Sequence, residues 1–600
     1  MKTLLALLLG VLALPALAQT GASTPQLTHC DAAIERFMQR WKIPGASVAI
    51  SRQGKLVYCR AFGYADLART VPMRPSHLLR VASVSKPVTA TAIMKLVEQG
   101  KIDLSHKAFG PKGYLQSAYY TSAITDERIY DITVQQLLEH SAGWNRNNGT
   151  DGFNTSDPID FPLHVADALS APNPVGDSTM VRFLLTKGLD FRPGARFAYS
   201  NVGYLVLGKI LEKVTGQSYE GWVRQNILAP AGISEAHLGR NLLADKHERE
   251  AEYFSKDHRA SCYGTGKPVS AAYGSWNLEA MNAHGGWLFS ARDLVRFLVA
   301  TDGNPAQPDV LAPATVAQML EPSENNRHYA KGWMVSKKVN WHTGSLDGTA
   351  SCVAQTADGY TWAILLNARA TPNRFWNDLE KLGWECVEGA TEWPALDFFP
   401  PTRNAAHLRG HATEAGTATL RWTNGNGSRR LVVVQEGSPV AQLPQDGTSY
   451  APDAAYGHGS ALGKSAFVVA AGPDSAVTVR NLAPNKTYYA RVVEYFQNDS
   501  TGQQAMYALD GNPTWQFHTP AALSILAKLS HKTVKKPAAR KATAASHHKP
   551  RPATLNTGPA KKQPSAPAPA KADAPATASP SYLEKLRSKG RELLKWFAKV

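Results

Sequence analysis

Cysteine is scarce in this chain, with five in 600 residues, too few for the disulfide framework of a small secreted scaffold. Charge is modest too: Asp, Glu, Lys and Arg make up 19% against 43% apolar residues, which excludes a wholly disordered or collagen-like chain. No repeat of fixed period is present. Beyond the N-terminus, no uncharged and predominantly apolar segment reaches the roughly 20 residues that a membrane-spanning helix needs. Acidic residues are nearly missing from one region. Residues 521–600 hold 17 Lys and Arg against only Asp573, Glu584 and Glu592, so this tail carries +14 of the formal +17 and residues 1–520 carry +3. The basic balance therefore describes an appendage and says little about the folded body.

Lys2, the apolar run from Leu4 to Leu17 and the small residues Ala16 and Ala18 form a secretory pattern, which predicts a signal peptide over 1–18 with cleavage after Ala18. No cysteine follows that site, so lipid attachment there is not indicated. The mature protein is expected to be periplasmic or secreted, in an oxidising compartment where Cys30, Cys59, Cys262, Cys352 and Cys386 can pair. An odd number leaves at least one thiol free or paired outside the chain. The pairing itself stays open.

Hydrophobic periodicity predicts a helix over 31–41 and strands over 46–51 and 56–63 about the turn at Gly54. Helical spacing recurs over 84–98, 134–140, 202–214, 291–300 and 375–382, and strand-like runs return over 351–355 and 360–366. Strands at both ends with helices between them predict an α+β domain over 22–400 whose sheet is closed by its two termini. From Ala406 the pattern changes to short strands separated by Gly, Asn and Pro, over 417–422, 430–435, 467–471, 477–480 and 488–495. That spacing predicts an all-β sandwich over 406–520. Leu482, Pro484, Tyr488, Arg491 and Val492 resemble the end of a fibronectin type III domain, with Trp422 in the place of its buried early-strand tryptophan. Residues 521–580 are rich in Ala, Lys and Pro and are expected to be a disordered linker. Residues 581–600 read as a cationic amphipathic helix: Leu583, Leu586, Leu593, Phe597 and Val600 fit one face, and Ser581 with Glu584 has capping-box spacing.

Ser83 and Lys86 stand as S-x-x-K at the start of a predicted helix, which places the lysine one turn after the serine on the same face. The spacing alone says little, since Ser546 and Lys549 repeat it inside the tail. Two further elements follow in order: Tyr199-Ser200-Asn201 before the helix from Val202, and His342-Thr343-Gly344 leading into the terminal strands. Together with the segments 137–144 (LLEHSAGW) and 284–297 (HGGWLFSARDLVRF), these motifs resemble the serine β-lactamase and penicillin-binding-protein family, in particular its class C β-lactamase, D-aminopeptidase and esterase branch, over about residues 28–390.

A serine hydroxyl needs a neighbouring base to attack an acyl carbon. The resemblance implies an antiparallel sheet with helices on both sides, Ser83 as nucleophile, and Lys86 with Tyr199 as the coupled pair that takes its proton and later activates the deacylating water. It implies Asn201, His342, Thr343, Gly344 and Ser345 on the substrate side, with the backbone N–H groups of Ser83 and Ser345 as oxyanion donors. Two departures matter. There is no S-D-N element, which argues against a class A enzyme. The lysine usual in the third motif is His342, ordinarily neutral at pH 7 with a pKa of ~6.5, so the motif lacks a fixed positive charge and efficient penicillin hydrolysis is not expected. G-x-S-x-G is absent, which argues against an α/β-hydrolase. His140 and His284 read as hydrogen-bonded structural residues, and Gly285-Gly286 as a tight turn near the pocket. His547 and His548 lack metal-ligand spacing, and neither metal nor cofactor is expected.

The sequence therefore reads as an exported serine hydrolase acting through an acyl-enzyme on D-amino-acid peptides, amides or esters. The rivals are a true β-lactamase or D-alanyl-D-alanine carboxypeptidase, and a non-catalytic envelope-binding protein. Through residues 521–600 the expected partner is an anionic membrane surface, lipopolysaccharide or wall polymer rather than nucleic acid. The eight charges from Glu584 to Lys599 forbid spanning and favour an interfacial helix. In vesicle flotation, deletion of residues 581–600 is expected to abolish binding to anionic vesicles; equal binding by the truncated and complete chains would count against the anchor.

Overall fold

The computed structural model describes residues 18–414, 416–497 and 504–521. The expected signal peptide, the linker beyond Ala521 and the C-terminal helix lie outside the described residues.

Seven strands form one antiparallel sheet: β1 (Gln19–Gly21), β2 (Gly45–Arg52), β3 (Lys55–Gly63), β4 (Met334–Val335), β5 (Val339–Leu346), β6 (Thr349–Thr356) and β7 (Tyr360–Leu366), in the spatial order β1-β3-β2-β7-β6-β5-β4. The seam where the two chain ends meet is β2 against β7, registered from Tyr360 opposite Arg52 to Leu366 opposite Ala46. Alternate residues of a strand face opposite sides, and here both sides are apolar. Ala46, Val48, Ile50, Trp362, Ile364 and Leu366 join one core, while Ala49, Ala363 and Leu365 join the other. Each face is covered by helices, as expected from sequence.

On the first face lie α1 (Thr28–Trp41) and α7 (Asn373–Glu388), the first and last helices of this part. Phe37 and Trp41 pack on Phe375, and the disulfide Cys30–Cys386 joins the two helices. Cys59, Cys262 and Cys352 remain free, buried thiols. On the second face lie α2 (Ser85–Glu98), α3 (Val134–Leu138), α4 (Asn201–Thr215), α5 (Leu278–Gly285) and α6 (Ala291–Val299). Four of these starts are fixed by side-chain caps, those of α5 and α6 by Asn277 and Ser290. A capping box between Thr133 and Gln136 opens α3, and the Ser200 side chain accepts from the Gly203 N–H to open α4.

Residues 406–518 hold two further antiparallel sheets. Strands Ala406–Glu414, Thr417–Thr423 and Ala476–Val479 form one; Arg429–Glu436, Ala466–Gly472, Thr487–Gln497, Ala505–Tyr507 and Thr514–His518 form the other. One apolar cluster draws on both, with Leu420 and Trp422 from the first and Val432, Tyr488, Val492 and Phe517 from the second. The five strands expected from sequence are present, with ends displaced by one or two residues.

This all-β part is packed onto the α+β part. Met506 enters the main core cluster beside residues of α2, α4 and α6. Arg292 of α6 donates to Asp446 at 2.6 Å, and both side chains are almost fully buried. The other Asp446 oxygen accepts from the Tyr507 N–H, and Arg249 pairs with Asp510 at the same boundary. Removing one member of a buried ion pair leaves the other charge without compensation, a loss of about 3–5 kcal/mol. Asp446→Ala is therefore expected to lower chemical-denaturation stability by about that much, and the double change Arg292→Met with Asp446→Leu to recover most of it. A wild-type midpoint in Asp446→Ala would show that the pair is not holding the two parts together.

Candidate active site

The nucleophile candidate sits where β-type chain turns into helix. Strand Leu79–Arg80 leads to Val81, then a single 3-10 turn, Ala82–Val84, and then α2. Ala82 has φ +48°, a left-handed conformation that costs a non-glycine residue of order 1 kcal/mol or more and persists only where its surroundings enforce it. They do: the Val81 carbonyl accepts from Ser351 Oγ at 2.8 Å. Gly344 of β5 approaches so closely that a Cβ there would overlap both Val81 O and Ser351 Oγ. The glycine of the third motif is thus required by the backbone that carries Ser83.

Lys86 follows within the first turn of α2 and is fully buried. Its Nζ lies 2.8 Å from Asn201 Oδ1, 2.9 Å from the His284 carbonyl and 3.2 Å from Ser83 Oγ. The ring of Tyr199 stands 4.8 Å from the same nitrogen, and the Tyr199 hydroxyl is hydrogen-bonded to Ser83. Burial drives the lysine pKa well below its ordinary value, Arg146 pushes in the same direction and Asp157 opposes it. Burial raises the Tyr199 pKa, against the lowering effect of its bond to Ser83. The lysine is thereby favoured as a neutral amine and the tyrosine as a protonated phenol. A neutral amine has two N–H groups and one lone pair. Asn201 Oδ1 and the His284 carbonyl take the two hydrogens, which turns the lone pair to the Ser83 hydroxyl.

The histidines that read as structural line this arrangement. His140, itself at φ +55°, accepts the Ser200 N–H on Nδ1 at 3.1 Å. That leaves Nε2 protonated to donate to Tyr329 at 3.0 Å, with the ring 4.3 Å from Tyr199. His284 serves through its main-chain carbonyl rather than its ring. Sequence reasoning missed Asp157 and Arg146. The Asn201 amide donates to Asp157 Oδ2 at 2.6 Å, and Arg146 pairs with Asp157 at 3.8 Å and Asp160 at 3.6 Å. They come from an irregular segment without periodicity, and no signal beyond the Asp157-Pro158 dipeptide marks it.

The third motif lies on β5, with His342 and Gly344 buried, Thr343 half-buried and Ser345 exposed. His342 corrects the sequence reading of its titration. Burial, reinforced by Lys86, lowers its pKa to about 3, and its Nδ1 sits 2.7 Å from the Thr343 carbonyl, so the ring stays neutral at working pH. The expectation of a site without fixed positive charge is also corrected at the end of this strand. Arg369, beyond β7, donates to Ser345 Oγ at 2.7 Å and pairs with Asp347, to which Arg259 is also bound at 3.0 Å. Two guanidinium groups thus share one carboxylate beside the motif.

A family model described as Beta-lactamase matches residues 30–382. The Staphylococcus aureus (strain MRSA252) protein flp is 25% identical over 330 residues, which cover 54% of this chain and 59% of that protein. A penicillin-binding protein of Bacillus subtilis (strain 168) is 24% identical over 351 residues, 56% of this chain and 71% of that protein. The chain thus spans about three-fifths of the length of its staphylococcal relative. Among solved structures, the D-amino acid amidase of Ochrobactrum anthropi SV3 complexed with D-phenylalanine aligns at a TM-score of 0.47 and 21% identity, covering 61% of this chain and 99% of that one.

Ser83→Ala is expected to abolish labelling by a fluorophosphonate while leaving the melting temperature unchanged, since it removes one oxygen beside a helix N-terminus. A label that maps to another serine would remove Ser83 from the mechanism. Tyr199→Phe is expected to slow turnover by about 100-fold or more, the range of a general acid–base group.

Proposed function

The chain belongs to the beta-lactamase family, and on that premise we propose that it is an exported serine hydrolase that forms an acyl-enzyme at Ser83 from D-amino-acid peptides, amides or esters. One observation carries the reading: the buried Lys86 Nζ lies within hydrogen-bond distance of two carbonyl oxygens and of Ser83 Oγ, so that the neutral amine, with its two hydrogens on the carbonyls, has its lone pair left for Ser83. Lys86 accepts the serine proton as Oγ attacks. Tyr199, held protonated and bonded to Ser83, passes a proton to the leaving group and regains one from the amine. The Ser83 and Ser345 amides serve as oxyanion donors. The same amine and phenol then activate the water that releases the acyl group. A purely binding protein has no chemical use for this constellation.

Export is supported by the secretory pattern and by the Cys30–Cys386 disulfide, which needs an oxidising compartment. We read residues 22–400 as the hydrolase unit and 406–520 as a fibronectin type III-like sandwich. The likeness is supported by the shared cluster around Trp422 and by the Tyr488 hydroxyl, which accepts from the Ala483 N–H. The cationic tail is proposed to tether the enzyme to an anionic envelope surface.

One observation favours a second reading, that of a β-lactamase or D-alanyl-D-alanine carboxypeptidase. Arg369 places a cation at Ser345, where a substrate carboxylate would be met. Its charge is shared with Asp347, and position 342 supplies none, so esters and amides without a carboxylate remain the better substrates. In a panel of p-nitrophenyl esters, D-alanine p-nitroanilide and nitrocefin, the first two are expected to show the higher kcat/KM. Their ratio to nitrocefin is expected to be flat across roughly pH 5.5–8.5, because His342 does not titrate there. Arg369→Ala is expected to lower kcat/KM for nitrocefin alone, by about tenfold or more, the worth of a lost charge-assisted hydrogen bond. Nitrocefin turnover above ester and amide turnover at neutral pH would return the protein to the second reading.

A further inference from the structure

The Asn201 side chain is a symmetric-looking amide with two opposite functions, an oxygen that accepts and a nitrogen that donates. Only one orientation serves Lys86. With Oδ1 toward the amine, one N–H of the lysine is taken up and its lone pair is left to Ser83. With the amide flipped, an NH2 group would face the amine and compete with the Ser83 hydroxyl for the lone pair. Nothing in Asn201 itself decides between these. Its other partner does: Nδ2 lies 2.6 Å from Asp157 Oδ2, on a side chain that is 1% exposed. An ionised carboxylate only accepts, so it can face the nitrogen and never the oxygen.

We infer that Asp157 is a positioning residue of the acyl-transfer site, whose carboxylate fixes the Asn201 amide so that Oδ1 is presented to Lys86. The inference rests on the reading of Ser83 as nucleophile. Asp157 makes its hydrogen bond to Asn201 rather than to Ser83 or the lysine, and reaches the amine through that amide and through its charge. The segment that carries it is anchored on its own account: the Asp157 N–H donates to Thr155 Oγ1 at 3.0 Å, Pro158 begins a 3-10 turn, and Arg146 bridges Asp157 and Asp160.

The same carboxylate sets a charge balance. Arg146 and Asp157 act on Lys86 in opposite directions, Arg146 lowering its proton affinity and Asp157 raising it. The other titratable groups around the amine are the Tyr199 and Tyr204 phenols and the His140, His284 and His342 rings. Burial holds all three histidines neutral at working pH. Asp160 belongs to the same network. Burial lifts it to about 6, Arg146 opposes this and Asp157 adds to it. Loss of the Asp157 charge therefore lowers the proton affinity of both Lys86 and Asp160, and loss of Arg146 raises both. The two substitutions are expected to move the acid limb of the rate profile in opposite directions, a pattern that a merely structural role does not produce.

The test is the kcat and kcat/KM profile of the full-length protein from roughly pH 4.5 to 9 on a p-nitrophenyl ester, for wild type, Asp157→Asn, Asp157→Glu and Arg146→Gln, each checked by thermal melting and by fluorophosphonate labelling. Asp157→Asn is expected to cut kcat by about tenfold or more with KM changed by less than about threefold, and to move the acid limb to lower pH. Asp157→Glu keeps an acceptor-only group and is expected to recover part of kcat. Arg146→Gln is expected to move the acid limb upward, and it decides the matter if Asp157→Asn fails to fold: an unshifted limb in Arg146→Gln would overturn the inference. So would a labelled wild type alongside a folded Asp157→Asn variant with wild-type kcat and profile. A wild type that takes no label at Ser83 overturns the underlying reading instead.

Discussion

An amine buried in the protein interior is the constraint around which the rest is arranged. Lys86 has no exposure to water, and an ammonium there would carry a desolvation penalty of several kcal/mol. The protein meets that penalty by favouring the neutral form and giving its hydrogens two carbonyl acceptors. Each acceptor comes from a different helix terminus, Asn201 at the first position of α4 and His284 near the end of α5. The nucleophile's turn is held against β5 and β6 by contacts that tolerate no side chain at Gly344. The two cores on either side of the sheet therefore act as a jig that brings three helix ends and one strand to a single amine.

The three motifs were legible in the sequence because each is local. Ser83 and Lys86 are neighbours on a helical turn, Tyr199 and Asn201 flank a capping serine, and His342 to Ser345 share one strand. The outline of the fold was legible for the same reason: periodicity of about two or 3.6 residues survives in the strands and helices that face a core. What failed to show was anything that depends on segments meeting in space. Asp157 and Arg146 belong to an irregular loop, and their role appears only once that loop closes over Asn201. His284 contributes a carbonyl, which every residue has. Cys30 and Cys386 could be paired only after α1 and α7 were seen side by side. His342 reads as an ordinary imidazole because sequence does not reveal how completely β5 and its neighbours cover the ring, and nothing local marks Arg369, which lies 24 residues beyond the Ser345 it touches.

The all-β part is not a bead on a string. Its Asp446 takes a charge from α6, the helix that packs on the sheet between β2 and β7, and its Met506 completes the same core that holds α2. Stability of the sheet that carries the third motif is therefore shared between residues far apart in the chain, and loss of the second part would remove Asp446, the carboxylate paired with Arg292.

The disulfide between α1 and α7 has a topological consequence. Cys30 and Cys386 are 356 residues apart, and between them lie all eight residues assigned to nucleophile, base pair and substrate contacts. That stretch is a closed covalent ring. A single cut in any one of its surface loops opens the ring without dividing it, so the chain stays one covalent molecule. The chain enters and leaves the ring at neighbouring helices, so the ring itself has no loose end near the pocket. A chain built this way can be nicked once between the two cysteines and remain one molecule.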